Sequence, residues 1–410
     1  MLYTVIAKPT KACNADCSYC SSPPDDAEAW SVSDFQVIFD RIAPRLADEA
    51  VWIWHGGEPM LQSPEFYRAC RAHVDSSIRP NVKFSIQSNL LLYKSSRWRD
   101  IFEHIFEGSI STSFDPDEKN RTIKGDAATY SRTFYRKLEE VCEDGFSPLV
   151  IGTYSEDTAP LMDVMYERAM ASSRPFNIRF NYRYPAGRAL GEGAVISPET
   201  YGRRLIELYN RWMSDRPDFY ITPLNQMFLK VIGSDVNQCP WTKACGGRFI
   251  GIEPNGDAYN CGEFADLQDE RYRFGNLKAG TLAGSTSEQI VRFIQPAPSS
   301  KNFADALLQT PGARAMRRRQ YDLPMDCKSC RHFDECEGGC MRDAELYGRG
   351  LGGKFFYCAS WKMVFDRIKS SVLSGEADWL IERVGVRPED ARAYVRGTAQ
   401  NLGTILRYMA

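Results

Sequence analysis

The chain has 410 residues, 43% of them apolar and 25% charged, with a formal net charge of -2. That length and composition predict a globular protein of two or three domains. The near-neutral charge gives no ground for nucleic-acid binding, and no apolar run is long enough to span a bilayer. Thirteen cysteines stand against four histidines, and the N-terminal Met-Leu-Tyr-Thr-Val-Ile-Ala-Lys leaves no room for a signal peptide. Sulfur ligation of metal in a reducing cytoplasm is therefore expected in place of disulfides.

Leu2–Ala7 reads as a short apolar strand, and the run Cys13-Asn-Ala-Asp-Cys17-Ser-Tyr19-Cys20 follows it directly. Three thiolates spaced x3 then x2 can hold three irons of a 4Fe–4S cluster and leave the fourth open to a ligand. A zinc site is the plain alternative. Ser33 and Gln36 form a capping-box pattern ahead of Phe35, Ile38, Phe39 and Ile42 at helical spacing. A strand over 51–54 runs into His55-Gly56-Gly57-Glu58-Pro59, where the glycines permit close approach of a backbone to a ligand. Ser63-Pro64-Glu65 opens the next helix.

Further strands are expected at 82–87, 109–113, 149–154 and 178–182. The clearest helix covers 130–143, with Phe134, Leu138, Val141 and Cys142 on one side. Repeated strand–helix units predict a parallel sheet with helices outside and a site at the carboxyl ends of the strands. One such end carries Ser88-Asn89, whose amide and hydroxyl groups suit ribose hydroxyls. The next carries Ser113-Phe114-Asp115-Pro116, followed by Arg121 and Tyr130.

The second half carries Cys239-x5-Cys245-x15-Cys261 and then Cys327-x2-Cys330-x5-Cys336-x3-Cys340-x17-Cys358. Eight cysteines suffice for two four-cysteine clusters, although Cys327-x2-Cys330 alone matches half a zinc knuckle. Cys70 and Cys142 remain, both at helical core spacing. The segment 181–189, Asn-Tyr-Arg-Tyr-Pro-Ala-Gly-Arg-Ala, is expected to face the barrel mouth. A helix over 198–212 reads as core. Arg314 and Arg317–Arg319 are either a solvated face or a contact for an acidic peptide, and the tail from Trp361 reads as helical.

The Cys-x3-Cys-x-aromatic-Cys run, the Gly-Gly-Glu-Pro segment and the Ser113, Asp115, Arg121, Tyr130 series resemble the radical S-adenosylmethionine (SAM) superfamily. The eight later cysteines resemble its SPASM extension, so the likeness covers nearly the whole chain. It implies an α/β fold: a partial (β/α)6 barrel over 1–232, a SPASM domain with two auxiliary clusters over 233–360, and a helical segment over 361–410. It implies three 4Fe–4S clusters, held by Cys13, Cys17 and Cys20, by Cys239, Cys245, Cys261 and Cys340, and by Cys327, Cys330, Cys336 and Cys358. By the same likeness Tyr19, Gly56, Gly57, Glu58, Pro59, Ser88, Asn89, Ser113 and Arg121 contact SAM.

The implied activity is cleavage of SAM to a 5′-deoxyadenosyl radical that oxidises a peptide or protein, with a reductant such as flavodoxin or ferredoxin. The His-Gly-Gly-Glu-Pro form is similar to crosslink-forming maturases. A carbon–carbon or carbon–heteroatom crosslink in a ribosomal peptide is therefore the first expectation, with the leader bound by a separate protein, by the tail, or not at all. The alternatives are an anaerobic sulfatase maturase making formylglycine and an oxidoreductase for a small molecule. The sulfatase maturases place an Asp directly after the cysteine matching Cys261. Here that position is Gly262, and Glu263 or Asp115 is the expected proton acceptor.

Overall fold

The computed structural model describes residues 1–25, 29–190, 195–236, 238–284 and 300–397. Its centre is a sheet of parallel strands: β1 (Leu2–Ala7), β2 (Leu46–Trp54), β3 (Lys83–Ser88), β4 (Ile110–Ser113), β5 (Leu149–Tyr154) and β6 (Asn177–Tyr182). They pair in chain order, and β7 (Ile221–Thr222) closes the series beside β6. The other edge is supplied from far along the chain, because β8 (Phe249–Ile252) pairs parallel with β1. β9 (Asp257–Tyr259), β10 (Gly275–Asn276) and β11 (Thr281–Leu282) then extend the sheet antiparallel. One sheet thus runs across residue 232.

Helices α1 (Val32–Ile42), α2 (Pro64–Asp75), α3 (Ser95–His104), α4 (Ala127–Glu143), α5 (Leu161–Ala171) and α6 (Pro198–Asp215) follow the six strands in turn. Each crossover lets the next strand join parallel to the last. α1 buries Phe35, Ile38, Phe39 and Ile42, and α4 buries Phe134, Leu138, Val141 and Cys142. The capping box of α1 is not Ser33 with Gln36. Ser31 accepts from the Asp34 N–H at 3.1 Å, and Asp34 accepts from the Ser31 N–H at 2.9 Å. The entry is set earlier because the Trp30 N–H is tied to the Pro9 carbonyl at 2.8 Å, holding the chain against the end of β1.

Beyond the barrel come α7 (Leu224–Val231), α8 (Gly262–Leu267), α9 (Pro311–Arg318), α10 (Met341–Leu346) and α11 (Cys358–Ser374). α11 packs along α6, where Tyr209 and Ser371 share a 2.6 Å hydroxyl bond and Gly202 admits the Ser360 backbone. Among the described residues no helix is long and apolar enough to cross a membrane. The last part of the expected helical tail, 398–410, lies outside the described residues.

Candidate active site

Side chains alternate across a strand, so residues two apart share a side. Ile6 and Lys8, Ile53 and His55, Ile151 and Thr153, and Arg179 and Asn181 all line one cleft at the carboxyl ends of the strands. Its volume is about 380 Å³, and Cys13, Cys17 and Cys20 line it with Tyr19.

The Gly-Gly pair holds the cysteine loop in place. A Cβ on Gly57 would lie 2.2 Å from the Ala12 carbonyl, and one on Gly56, whose φ is +112°, 2.5 Å from the Thr10 carbonyl. The bare backbone instead donates, Gly57 N–H to Thr10 O at 3.0 Å and Glu58 N–H to Ala12 O at 2.8 Å. These glycines therefore admit another stretch of the protein's own backbone, although both also line the cleft.

Glu58 and Pro59 are buried and are not among the cleft-lining residues. The Glu58 carboxylate is engaged by Met60 N–H, Ser88 Oγ and Asn89 N–H, all at 2.8 Å. Burial pushes it up to about 7 against the pull of those three donors. Asn89 donates in turn to Asn14 at 2.7 Å and to Cys13 Sγ at 3.9 Å. Glu58 thus joins the end of β3 to the Gly-Gly turn, its carboxylate taken up by protein donors one layer behind the cleft.

On the opposite wall Asp115 is 4% exposed. It accepts from Tyr19 OH, from Arg121 Nε at 2.6 Å and from the Thr153 N–H at 2.6 Å. With its oxygens so occupied it positions Tyr19 and Arg121. Arg121 lies 5.4 Å over the Tyr19 ring and donates to Cys17 Sγ at 3.8 Å. Ser88, Asn89, Ser113 and Arg121 all line the cleft.

The third wall was largely missed by the sequence reading. Lys8, fully buried, donates to Glu253 Oε1 and the Gly262 carbonyl, both at 2.9 Å, and to Asp266. Burial opposes its charge, but the Asp266 and Glu253 carboxylates outweigh burial and hold it above the ordinary lysine value. Burial would likewise raise Asp266, yet Lys8 reverses this and holds it below the ordinary carboxylate value. Burial, and then Lys8, hold His55 below the ordinary imidazole value. Glu263, half exposed, pairs with buried Arg342, which lies 3.5 Å over Tyr184 and donates to Asp343 at 2.8 Å. The alternation of strand-end residues carried a signal for Lys8 and His55; no local pattern pointed to Asp266 or Arg342.

Cys239 is exposed, with the Cys245 and Cys261 thiols beside it. Burial, then Asp343 and Cys239, push Cys340 up. These four come from three separate segments, and Asn260 donates to Cys245 Sγ at 3.8 Å. Cys327, Cys330, Cys336 and Cys358 line a second, smaller cavity. There burial, opposed by the Gly338 N–H and reinforced by Cys358, Cys327 and Cys330, pushes Cys336 up to about 12. Among the described residues no His, Cys, Asp and Glu group closes on a point fit for a single metal ion. Cluster ligands each bind a different iron and stand further apart. Three convergent thiols with amide and guanidinium donors on their sulfurs suit that donor set.

No family model matches the chain. It is 24% identical over 399 residues to the serine-type anaerobic sulfatase-maturating enzyme of Klebsiella aerogenes, covering 93% of this chain and 91% of that one. It is 21% identical over 384 residues to the cysteine-type anaerobic sulfatase-maturating enzyme of Clostridium perfringens, covering 88% and 95%. The solved structure of anSMEcpe with bound AdoMet superposes with a TM-score of 0.71 at 17% identity, covering 92% and 99%. The chain is thus similar over nearly its whole length to anaerobic sulfatase-maturating enzymes and shares the fold of one of them. Streptococcus suis SuiB bound to its precursor peptide SuiA also shares the fold, with a TM-score of 0.55 at 15% identity over 88% of this chain and 76% of that one.

Proposed function

We propose that this protein is a radical SAM maturase that oxidises a Ser or Cys side chain of a peptide or protein to formylglycine. The observation that carries the reading is the cleft itself. Three thiols line it at the carboxyl end of β1, and a carboxylate–ammonium pair stands in the wall beside them. In the proposed assignment Cys13, Cys17 and Cys20 hold the cluster that binds SAM. Cys239, Cys245, Cys261 and Cys340 hold one auxiliary 4Fe–4S cluster, and Cys327, Cys330, Cys336 and Cys358 hold the other. With SAM bound, this assembly supplies a 5′-deoxyadenosyl radical able to abstract hydrogen from carbon.

The chain's own residues supply the rest. Gly56 and Gly57 fix the cysteine loop, and Asp115 orients Tyr19 and Arg121 toward it. Ser88, Asn89 and Ser113 offer polar groups to a ribose, while Arg179, Asn181 and Arg183 offer donors to a peptide backbone at the mouth. Charged and amide groups in this wall suit a small polar side chain better than an aromatic ring. That favours formylglycine formation over the cyclophane-type crosslink first expected, as does similarity to sulfatase maturases of both serine and cysteine type. The electron source is a protein of the flavodoxin or ferredoxin class.

The test is an anaerobic reaction with SAM, dithionite and synthetic peptides carrying one Ser or one Cys from a sulfatase active-site segment. Formylglycine from Ser appears as loss of two hydrogen atoms together with a carbonyl that a hydrazide probe captures. Loss of two hydrogens without a carbonyl identifies a crosslink and refutes the reading.

A further inference from the structure

We infer that Asp266 is the base that takes the hydroxyl or thiol proton of the substrate, an inference that rests on the reading above. Oxidising a side-chain alcohol to an aldehyde removes one hydrogen atom from carbon, one proton from oxygen and one electron. The hydrogen atom goes to the 5′-deoxyadenosyl radical. The electron goes to a one-electron acceptor of the iron–sulfur class, and the C–O bond becomes C=O; from a thiol the C–S bond becomes C=S, and water then replaces the sulfur, which leaves as hydrogen sulfide. The proton needs an acceptor within the cleft and close to the cysteine loop, because O–H and C–H leave from the same short side chain.

Two carboxylates line the cleft among the described residues, Glu263 and Asp266. Glu263 stands 47% exposed and is paired with Arg342. Asp266 is 6% exposed, and its Oδ2 takes a bond from Ser21 Oγ at 3.3 Å, which sets it against the residue next to Cys20. That long bond leaves the oxygen capacity for a further donor.

The helix explains why the carboxylate is at this position. A Cβ at Gly262 would lie 2.8 Å from Ile6 Cγ2, so the first position of α8 has no room for a side chain unless Ile6 shifts. Four residues on, Asp266 returns to the same face of the helix with space before it. Lys8 binds both the Gly262 carbonyl and the Asp266 carboxylate, fixing the helix and the base together.

The surrounding charges tolerate the protonated form. Lys8 and Lys11 face Glu253 and Asp266, with Lys11 Nζ 2.8 Å from Glu253 Oε2 and 3.6 Å from Asp25. When Asp266 is neutralised, Lys8 retains Glu253 and the Gly262 carbonyl, so no buried ammonium is left unpaired.

The experiment compares wild type with Asp266→Asn, Asp266→Glu and Glu263→Gln on a Ser peptide deuterated at the β-carbon. Asp266→Asn is expected to lower aldehyde formation at least about 100-fold, while deuterium still passes into 5′-deoxyadenosine and the iron content stays at the wild-type level. Asp266→Glu is expected to restore part of the aldehyde. Wild-type aldehyde yield from Asp266→Asn overturns the inference. Loss of iron or of deuterium transfer in both Asp266 variants also overturns it, since Asp266 is then a strut. Continued deuterium transfer without aldehyde in Glu263→Gln, with normal product from Asp266→Asn, gives the role to Glu263. If wild type itself yields no aldehyde, the reading under Proposed function fails and the inference falls with it.

Discussion

Glu58→Gln separates a strut from a ligand contact. In the native protein one carboxylate oxygen serves Met60 N–H and Ser88 Oγ, and the other serves Asn89 N–H, each at 2.8 Å. A glutamine amide has one acceptor oxygen. Placed toward Met60 and Ser88, it turns its NH2 group onto the Asn89 N–H, leaving two donors without acceptors in a site with no solvent exposure. Each such orphan costs about 1–3 kcal/mol, so the variant should lose about 2–6 kcal/mol. At roughly 2–4 °C per kcal/mol for a sizeable domain, the melting temperature should fall by roughly 10 °C. The assay is anaerobic thermal unfolding of iron-loaded protein followed by circular dichroism, with SAM binding measured in parallel at a temperature where both proteins are folded. SAM affinity should change by less than tenfold, which is about 1.4 kcal/mol. An unchanged melting temperature with SAM binding abolished would refute the strut and restore Glu58 as a direct contact.

Gly57→Ala forces a methyl group against the Ala12 carbonyl, so it should displace the cysteine loop and lower bound iron by about four atoms per chain; full iron occupancy would show that the loop does not need this clearance. Replacing Cys13, Cys17 and Cys20 together by Ala should abolish 5′-deoxyadenosine formation while about eight irons remain bound, and retained SAM cleavage would contradict the assignment. Lys8→Met takes the ammonium partner from the buried Asp266 carboxylate, while Glu253 keeps Lys11, and should cost about 3–5 kcal/mol in urea unfolding. Adding Asp266→Asn to Lys8→Met should recover part of that loss, with an interaction of about 0.5–3 kcal/mol; strict additivity would mean that Lys8 and Asp266 are not energetically coupled.

Much of the barrel was legible in the chain because its signals are local. Apolar alternation and helical spacing marked the six strands and the buried faces of α1 and α4, and Ser63-Pro64 marked a helix start that the structure retains. The cysteine loop was equally plain, since three thiols within eight residues must share one turn of chain. Local signals also misled, as at Ser33, where the cap is Ser31 and a backbone bond from Trp30 to Pro9 sets the earlier entry.

Contacts between distant segments decided the rest. Lys8 finds its partners 245 and 258 residues along the chain, at Glu253 and Asp266, because β8 pairs with β1 and brings α8 over the cleft. Cys340 comes near Cys239 across about a hundred residues for a similar reason. By itself the sequence determined which residues can carry the chemistry and which lie on the same strand or helix face, properties that depend on neighbours a few positions away. Only the tertiary structure decided that Glu58 lies behind the cleft while Asp266 faces it. Burial and ion pairing depend on which remote segments pack together, and no spacing along the chain encodes that directly.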